Sequence, residues 1–332
     1  LNSYYLQGGY FAENTSVKLI AFAGKEKTYH AWGYATKEEM EKFGRRYNPC
    51  GEMYTDADGN KHYYTDQTDN YLQKNYQLLL NHSFSTAWNL NVALHYTKGD
   101  GYYEEYKPGS SLVEYGLKPF NPDGTETNES DLVRQKKMDN KFGGGVFSLN
   151  YTGNRLTASL GGGLNQYRGN NFGKVTWVKN YIGILSPEHE YYRNKSKKTD
   201  GNIYLKANYD LTSTLSAYAD LQYRHIDYTI DGVNDKYDWN KNALRPLAVD
   251  KKFDFFNPKV GLNWNITPNH RLYASFSVAQ KEPTRNNYTD GDPDSYPKAE
   301  KLLDYEVGYT FANPWLTAGA NFYYMDYTDQ LV

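Results

Sequence analysis

Residues 306–327, EVGYTFANPWLTAGANFYYMDY, belong to a stretch that alternates strictly between two kinds of side chain. Leu303, Tyr305, Val307, Tyr309 and Phe311 share one parity, and Asp304, Glu306, Gly308 and Thr310 the other. Beyond Asn313-Pro314, Ala318, Ala320, Phe322 and Tyr324 alternate with Thr317, Gly319 and Asn321. Neighbouring strand residues point to opposite faces. The stretch therefore reads as a β-hairpin with one apolar face and one polar or tiny face.

The same pattern fills the rest of the chain. Apolar rows occur at Val17, Leu19, Ala21 and Ala23, and at Trp88, Leu90, Val92, Leu94 and Tyr96. Others run Leu156–Leu164, Ile203–Leu211, Leu215–Tyr223, Val260–Ile266 and Leu272–Val278, every second residue. The intervening positions hold Asn, Ser, Thr, Gly, Lys and Asp. Short turns fall near 12–14, 85–87, 152–154, 212–214, 267–269 and 313–314. Between hairpins lie polar stretches at about 28–69, 107–137, 169–198, 231–252 and 284–299. Loops longer than about 12–15 residues are uncommon in compact domains. Here they alternate with tight turns, so one end of the sheet carries every long loop. About twelve strands are predicted, with a surface helix over 35–47 in the first loop.

Several segments exceed the usual five or six residues of a soluble strand and reach the roughly 9–11 needed to cross a bilayer when tilted. Tyrosine is abundant, 35 of 332 residues. Trp88, Trp264 and Trp315 lie beside short turns, and Tyr102, Tyr103, Tyr106, Tyr228, Tyr323, Tyr324 and Tyr327 near the long loops, as two interfacial girdles would require. The chain is polar on average, yet only alternate residues of a band about 25 Å tall need be apolar. No run of about 18 apolar residues forms a transmembrane helix candidate, and no charged-then-apolar targeting segment opens the sequence. With 37 Lys+Arg against 39 Asp+Glu, no basic footprint for nucleic acid exists.

Residues 257–291, NPKVGLNWNITPNHRLYASFSVAQKEPTRNNYTDG, resemble the barrel of TonB-dependent outer-membrane receptors. So do residues 297–332. The resemblance rests on Pro258, Lys259 and Gly261, on Tyr273 and Phe276, and on Glu282, Pro283 and Arg285. It continues through Glu300, Asp304, Tyr305, Glu306, Gly308, Tyr324, Met325, Asp326, Tyr327, Asp329 and Gln330. The match covers about a quarter of the chain, and its flavour is similar to receptors of the Bacteroides group. It implies an all-β, antiparallel up-and-down transmembrane barrel in the bacterial outer membrane, with short periplasmic turns and long extracellular loops. About twelve of an expected 22 strands are present. Residues 1–332 are thus expected to be a partial barrel without the plug domain or the C-terminal strands, the last strand running to Val332.

Catalytic chemistry has little footing. The seven His show no H-E-x-x-H spacing, although His82 and His95 fall on adjacent strands. The Gly runs 143–145 and 161–163 lie on strands, where they admit close neighbours rather than phosphates. The acidic loops DGDPDS, 290–295, and DADGN, 56–60, depart from the EF-hand pattern at positions 6 and 12 or by length. Cys50 reads as an unpaired thiol in a turn. No metal site, cofactor or enzymatic activity is expected.

Ligand recognition is the better reading. Candidate loop contacts are Trp177, Tyr181, Tyr191, Tyr192, Arg193, Tyr237, Trp239, Arg285 and Tyr288. Lys206, Asp220, Arg224 and Glu306 are candidates for the lumenal face that meets a plug. The resemblance implies active import of a scarce large ligand, first a ferric siderophore, with cobalamin, haem or an oligosaccharide as other cargoes. It also implies coupling to TonB–ExbB–ExbD through the plug region, and contact with outer-membrane lipid. A passive porin and a soluble glycan-binding β-protein are the alternatives.

Overall fold

The computed structural model describes residues 2–118, 123–179, 181, 185, 186 and 189–330, the Asp294 side chain apart. Its elements run β1 (Asn2–Phe11), β2 (Thr15–Tyr29), α1 (Lys37–Phe43), β3 (Glu52–Thr55), β4 (Lys61–Tyr63), β5 (Thr68–Ser83) and β6 (Trp88–Ser111). Then come β7 (Glu129–Thr152), β8 (Leu156–Val178), β9 (Glu190–Asp210), β10 (Leu215–Asp238), β11 (Ala243–Thr267) and β12 (His270–Lys281). Last are α2 (Arg285–Asp290), β13 (Glu300–Ala312) and β14 (Thr317–Thr328). Twelve strands form one antiparallel sheet in chain order, from β1 to β14, and β3–β4 make a separate hairpin. The sheet does not close, so β1 and β14 each have one neighbour among the described residues. Among the described residues no helix is long and apolar enough to cross a membrane.

The short turns stand where the alternation breaks. The long polar stretches do not. Strands β6 to β11 are 21–25 residues long, about twice what a bilayer crossing needs. The stretch 231–252 is almost wholly β10 and β11, joined over residues 239–242. The stretches 107–137 and 169–198 likewise shrink to 112–128 and 179–189. Only the segments before β5 and β13 remain as long as expected. Strand β14 ends at Thr328, and Leu331 and Val332 lie outside the described residues.

The cause is an inversion of phase. On β10 the apolar residues below are Leu215, Ala217, Ala219, Leu221 and Tyr223, all odd. Above them the apolar residues are Ile226, Tyr228 and Ile230, all even and all buried. On β11 the change runs from even Trp264, Leu262, Val260 and Phe256 to odd Phe255, Val249 and Leu247. The outer face is apolar where it meets lipid. Beyond the bilayer the outer face turns polar, and the inner face carries the apolar residues that hold the loops. The ladder stays regular through the change, with Tyr223 opposite Phe256 and Arg224 opposite Phe255.

Register also sorts the aromatics. Trp88 pairs with Tyr151, and Trp264 with Leu272, which pairs with Tyr309, around the short-turn rim. The other rim holds Tyr76 opposite Tyr96, and Phe276, Tyr305 and Tyr324 in sequence across three strands. Tyr103, Tyr228, Tyr323 and Tyr327, expected in this girdle, have the opposite parity and face inward. His82 and His95 are separated likewise: His82 lies on the outer face bonded to Thr15 at 2.8 Å, and His95 on the inner face bonded to Asn165 at 2.8 Å.

The glycines have a steric partner. Tyr71, Tyr192, Tyr204 and Tyr273 pair directly across the inner face with Gly101, Gly173, Gly161 and Gly308. A Cβ at Gly308 would stand 2.1 Å from the Tyr273 ring, and one at Gly161 2.4 Å from the Tyr204 ring. The rings therefore lie along the wall, over residues that have no side chain. Gly308→Ala is expected to destabilise the barrel by about 1–3 kcal/mol through overpacking. A Tyr273→Ala background should remove most of that penalty. Gly201→Ala, whose Cβ would meet Leu164 at an ordinary 3.5 Å, should cost little. Heat-modifiable gel mobility of the full-length receptor against temperature reads all three.

Candidate functional site

The inner wall near the short turns is a self-satisfied amide lattice. Asn81 donates to Asn91 at 2.6 Å, Asn91 to Asn89 at 2.8 Å, and Ser159 to Asn150 at 2.8 Å. Charge appears higher up. Lys206 and Asp220 sit opposite each other at 3.4 Å on the inner face, and Tyr218 donates to Asp220 at 3.2 Å. Glu306 shares that face between Ser275 and Tyr323. All four plug-facing candidates, Arg224 included, have lumenal parity.

Above this level two segments fold inward onto the wall. The turn at Leu112–Tyr115 places Leu112, Tyr115 and Leu117 against Leu132, Val175, Tyr191 and Tyr192, with Tyr181 at the margin. The segment after β12 places Tyr288 against Ile226, Tyr228, Ile230, Leu247, Val249 and Phe255. Burial keeps these phenols protonated: Tyr228 and Tyr288 are each pushed up to about 12, and Tyr191 and Tyr192 are raised as well.

The second segment is anchored by the Glu-Pro-Thr-Arg stretch. Glu282 accepts from Arg224 Nη1 at 3.0 Å and is paired with Lys198. Arg224 also grips Asp200, with Nη2–Oδ2 at 2.5 Å and Nε–Oδ1 at 3.1 Å. Pro283 is fully buried. Thr284 and Asn287 form a reciprocal cap on α2. Arg285 donates to Asn194 Oδ1 at 2.8 Å. Burial pushes the Glu282 carboxyl up, but hydrogen bonding from Lys198 and the charges of Lys198 and Arg224 outweigh it. The group is held below its usual 4.5. Arg224 is therefore a wall-to-loop tie, a role that its sequence neighbours do not disclose.

The ligand candidates divide by location. Tyr191, Tyr192 and Tyr288 are core residues, the last 1% exposed, so in this conformation they pack the loops and cannot touch a ligand. Tyr181 packs against the same core. Arg193 pairs with Phe172 on the outer face, stacks 4.1 Å over its ring and forms a bidentate pair with Glu190 at 2.8 and 2.6 Å. It points away from the lumen. Trp177 pairs with Val133, which pairs with Tyr106 in the outer-face row, so it too lies outside. Tyr237, Trp239 and Arg285 remain. Trp239, 61% exposed, meets Tyr237 edge-on at 4.9 Å at the β10–β11 tip, and Trp177 lies near Tyr106 at 6.3 Å.

The acidic loops are occupied by local structure. Asp56 accepts from the backbone N–H of Asp58 and Asn60 and pairs with His62 at 2.9 Å, closing the β3–β4 turn. Asp290 pairs with Lys236 at 2.8 Å. Among the described residues no group of three or more His, Cys, Asp or Glu is placed to hold a metal ion.

Residues 22–332 match the family model of the TonB-dependent receptor-like β-barrel. The chain belongs to this family. Its location is the bacterial outer membrane. No curated protein matches the sequence. Solved structures of similar fold include the ferric-catecholate import receptor Fiu of E. coli K12, at TM-score 0.59 and 12% identity, covering 98% of this chain and 52% of that one. The ferric yersiniabactin uptake receptor FyuA of Yersinia pestis matches at 0.59 and 11%, covering 96% and 43%. The copper transporter OprC matches at 0.61 and 12%, covering 97% and 44%. At such identities the likeness speaks for the fold. The chain spans about half the length of each of these proteins.

Replacing Glu282 by Gln leaves Arg224 and Lys198 short of a counter-charge in a largely buried setting. The segment 282–299 should then loosen by about 1–3 kcal/mol, less than for a fully buried pair, with the barrel intact. Hydrogen exchange of residues 282–299 against the strands measures it. Acid should act alike. Because the folded carboxyl titrates below its unfolded value, the tie is complete above 4.5 and is lost as pH falls through the lowered value.

Proposed function

We propose that the whole protein is an active importer of a scarce, large ligand, first a ferric siderophore, and that it has no enzymatic activity. The observation that carries this reading is the organisation of the long-loop end. Two segments fold inward onto the wall, and Tyr237, Trp239 and Arg285 stay available for stacking and charge-assisted hydrogen bonds. Ferric-siderophore receptors among the structures of similar fold favour that cargo class.

In this reading Lys206, Asp220, Arg224 and Glu306 contact a plug. One oxygen of Asp220 and one of Asp304 are buried without a partner among the described residues, which suits donors arriving from such a domain. TonB–ExbB–ExbD acts on the plug to open the lumen. Cobalamin, haem and oligosaccharides are the other cargoes to be tested.

A strain lacking the gene should fail to grow on one defined ferric siderophore as its iron source, and the full-length gene should restore growth. Uptake should stop when the proton-motive force is collapsed. Uptake that persists without it identifies a passive channel. Normal growth of the deletion strain on every ferric siderophore tried, with a defect on another cargo, rejects the siderophore assignment. Trp239→Ala combined with Arg285→Ala should weaken ligand binding about ten- to hundredfold if the pair forms an anchor.

A further inference from the structure

Near its upper end β10 leaves the regular ladder. It pairs residue for residue with β11 up to Val233 opposite Pro246, and pairing resumes with Tyr237 opposite Leu244. Asn234, Asp235 and Lys236 therefore stand against Arg245 alone, a bulge of unequal strand lengths. Pairing with β9 ends at the same height, at Gly232 opposite Asn194. Gly232 makes the bulge possible. Its φ is +123°, in the region that favours glycine, and a Cβ there would stand 2.3 Å from the Arg193 carbonyl oxygen.

Each bulge residue has its own partner. Asn234, buried, donates to the Thr289 carbonyl at 2.6 Å. Asp235 pairs with Lys136 on β7. Lys236 pairs with Asp290 at 2.8 Å. Thr289 and Asp290 are the last two residues of α2, and Arg285 is the first. Arg285 reaches the bulge through Asn194, which is buried on β9. The Asn194 amide donates to the Val233 carbonyl at 3.0 Å, and its oxygen accepts from Arg285 at 2.8 Å. Both ends of this six-residue helix are thus fastened to one bulge. The bulge also joins the two inward-folded cores, since Val233 packs on the Tyr191–Tyr192 cluster and Tyr288 of α2 on the other.

Immediately beyond the bulge lies the β10–β11 tip with Tyr237 and Trp239. The tip is internally braced: Tyr237 donates to Asn242 at 2.6 Å, and Asp238 accepts from the Asn240 N–H at 3.0 Å. We propose that Asn194 and Asn234 are positioning residues for the candidate ligand site. Through the bulge they hold the Tyr237–Trp239 pair and Arg285 at a fixed separation, so that tip and helix behave as one body. That these three side chains meet the ligand rests on the import reading above; that tip and helix are coupled does not. Two contacts already at their bound spacing spare a ligand the entropy of ordering them. The two buried amides carry the coupling, because the Lys236–Asp290 pair is exposed at both ends and exposed pairs contribute little.

Hydrogen exchange of the full-length receptor in detergent, followed separately over residues 235–245 and 285–290, tests the coupling without any ligand. Asn194→Asp keeps an acceptor for Arg285 and removes the donor to Val233. Exchange over 235–245 should rise about tenfold while 285–290 stays protected, a selectivity that general destabilisation would not produce. Asn234→Ala should loosen both segments, and Lys236→Gln should change neither by more than about threefold. Glu282→Gln, which frees the helix from the wall, should also raise exchange over 235–245. It should add nothing there once Asn194→Asp and Asn234→Ala are present together, the non-additivity expected of linked sites. Heat-modifiable mobility reports whether each variant is folded, and Glu282→Gln alone reads the transmission if neither asparagine variant folds. With the ferric siderophore identified by the growth test as probe, Asn194→Asp should weaken binding about tenfold although every contact residue is retained. Unchanged exchange over 235–245 in folded Asn194→Asp overturns the proposal. So does a Glu282→Gln receptor that loosens 285–290 and leaves 235–245 protected. A loosened tip with undiminished siderophore affinity overturns the positioning role. If no siderophore supports growth, the import reading fails while the exchange results still decide the coupling.

Discussion

A backbone in hydrocarbon has no water to bond to, so every N–H and C=O must find a partner in the protein. Everything else in this sheet follows from that constraint. Strands in chain order, each paired along nearly its whole length with the next, satisfy it with few interruptions. Register shifts occur on the loop side of the lipid-facing band, as between Val233 and Tyr237 and between Lys107 and Ser110, or at the short-turn rim, between Asn265 and Thr267. Inside the band the pairing is continuous. A continuous ladder fixes side-chain parity, and parity decides which residue meets lipid and which meets the lumen.

The band and the region above it obey one ladder with opposite rules for burial. In the bilayer the outer face is apolar because the solvent there is apolar. Above it the outside is water, and the inner face takes over as the apolar one. There Ile226, Tyr228 and Ile230 receive Tyr288 from a folded-in loop. The inversion between Tyr223 and Ile226 occurs without a bulge. The strand therefore needs no structural break to leave the membrane, and its extension becomes a rigid support for the loops. The tyrosine–glycine pairs serve the same economy of space. A ring laid over Gly161 or Gly308 covers backbone without standing out from the wall.

These particulars explain what the sequence disclosed and what it hid. Turns and strand identity within the band were legible because a period of two persists there with constant phase. The strand extensions were not, because a phase change reads as the end of a strand when each row is followed on one parity alone. Following both parities would have found them: Phe255, Val249 and Leu247 keep the period of two while moving to the other face. The division of the ligand candidates was hidden for a related reason. Tyr191, Tyr192 and Arg193 are consecutive, yet two are core and the third is on the outer surface. Only the register against Gly173 and Phe172 separates them.

The Glu-Pro-Thr-Arg stretch shows how a motif can be shared for structural reasons while lying at a functional rim. Its glutamate ties to Arg224 and Lys198 on the wall, its proline is buried, its threonine starts a helix, and its arginine reaches Asn194. Four consecutive residues thus convert the end of β12 into a loop bound to β9 and β10. Arg224 is shared between Glu282 and Asp200, so the tie links loop and wall through one guanidinium. A negatively charged group brought near Arg224 from the lumen would compete with Glu282 for it. The loop and the lumen are in this way electrostatically connected through a single side chain, whatever occupies the interior.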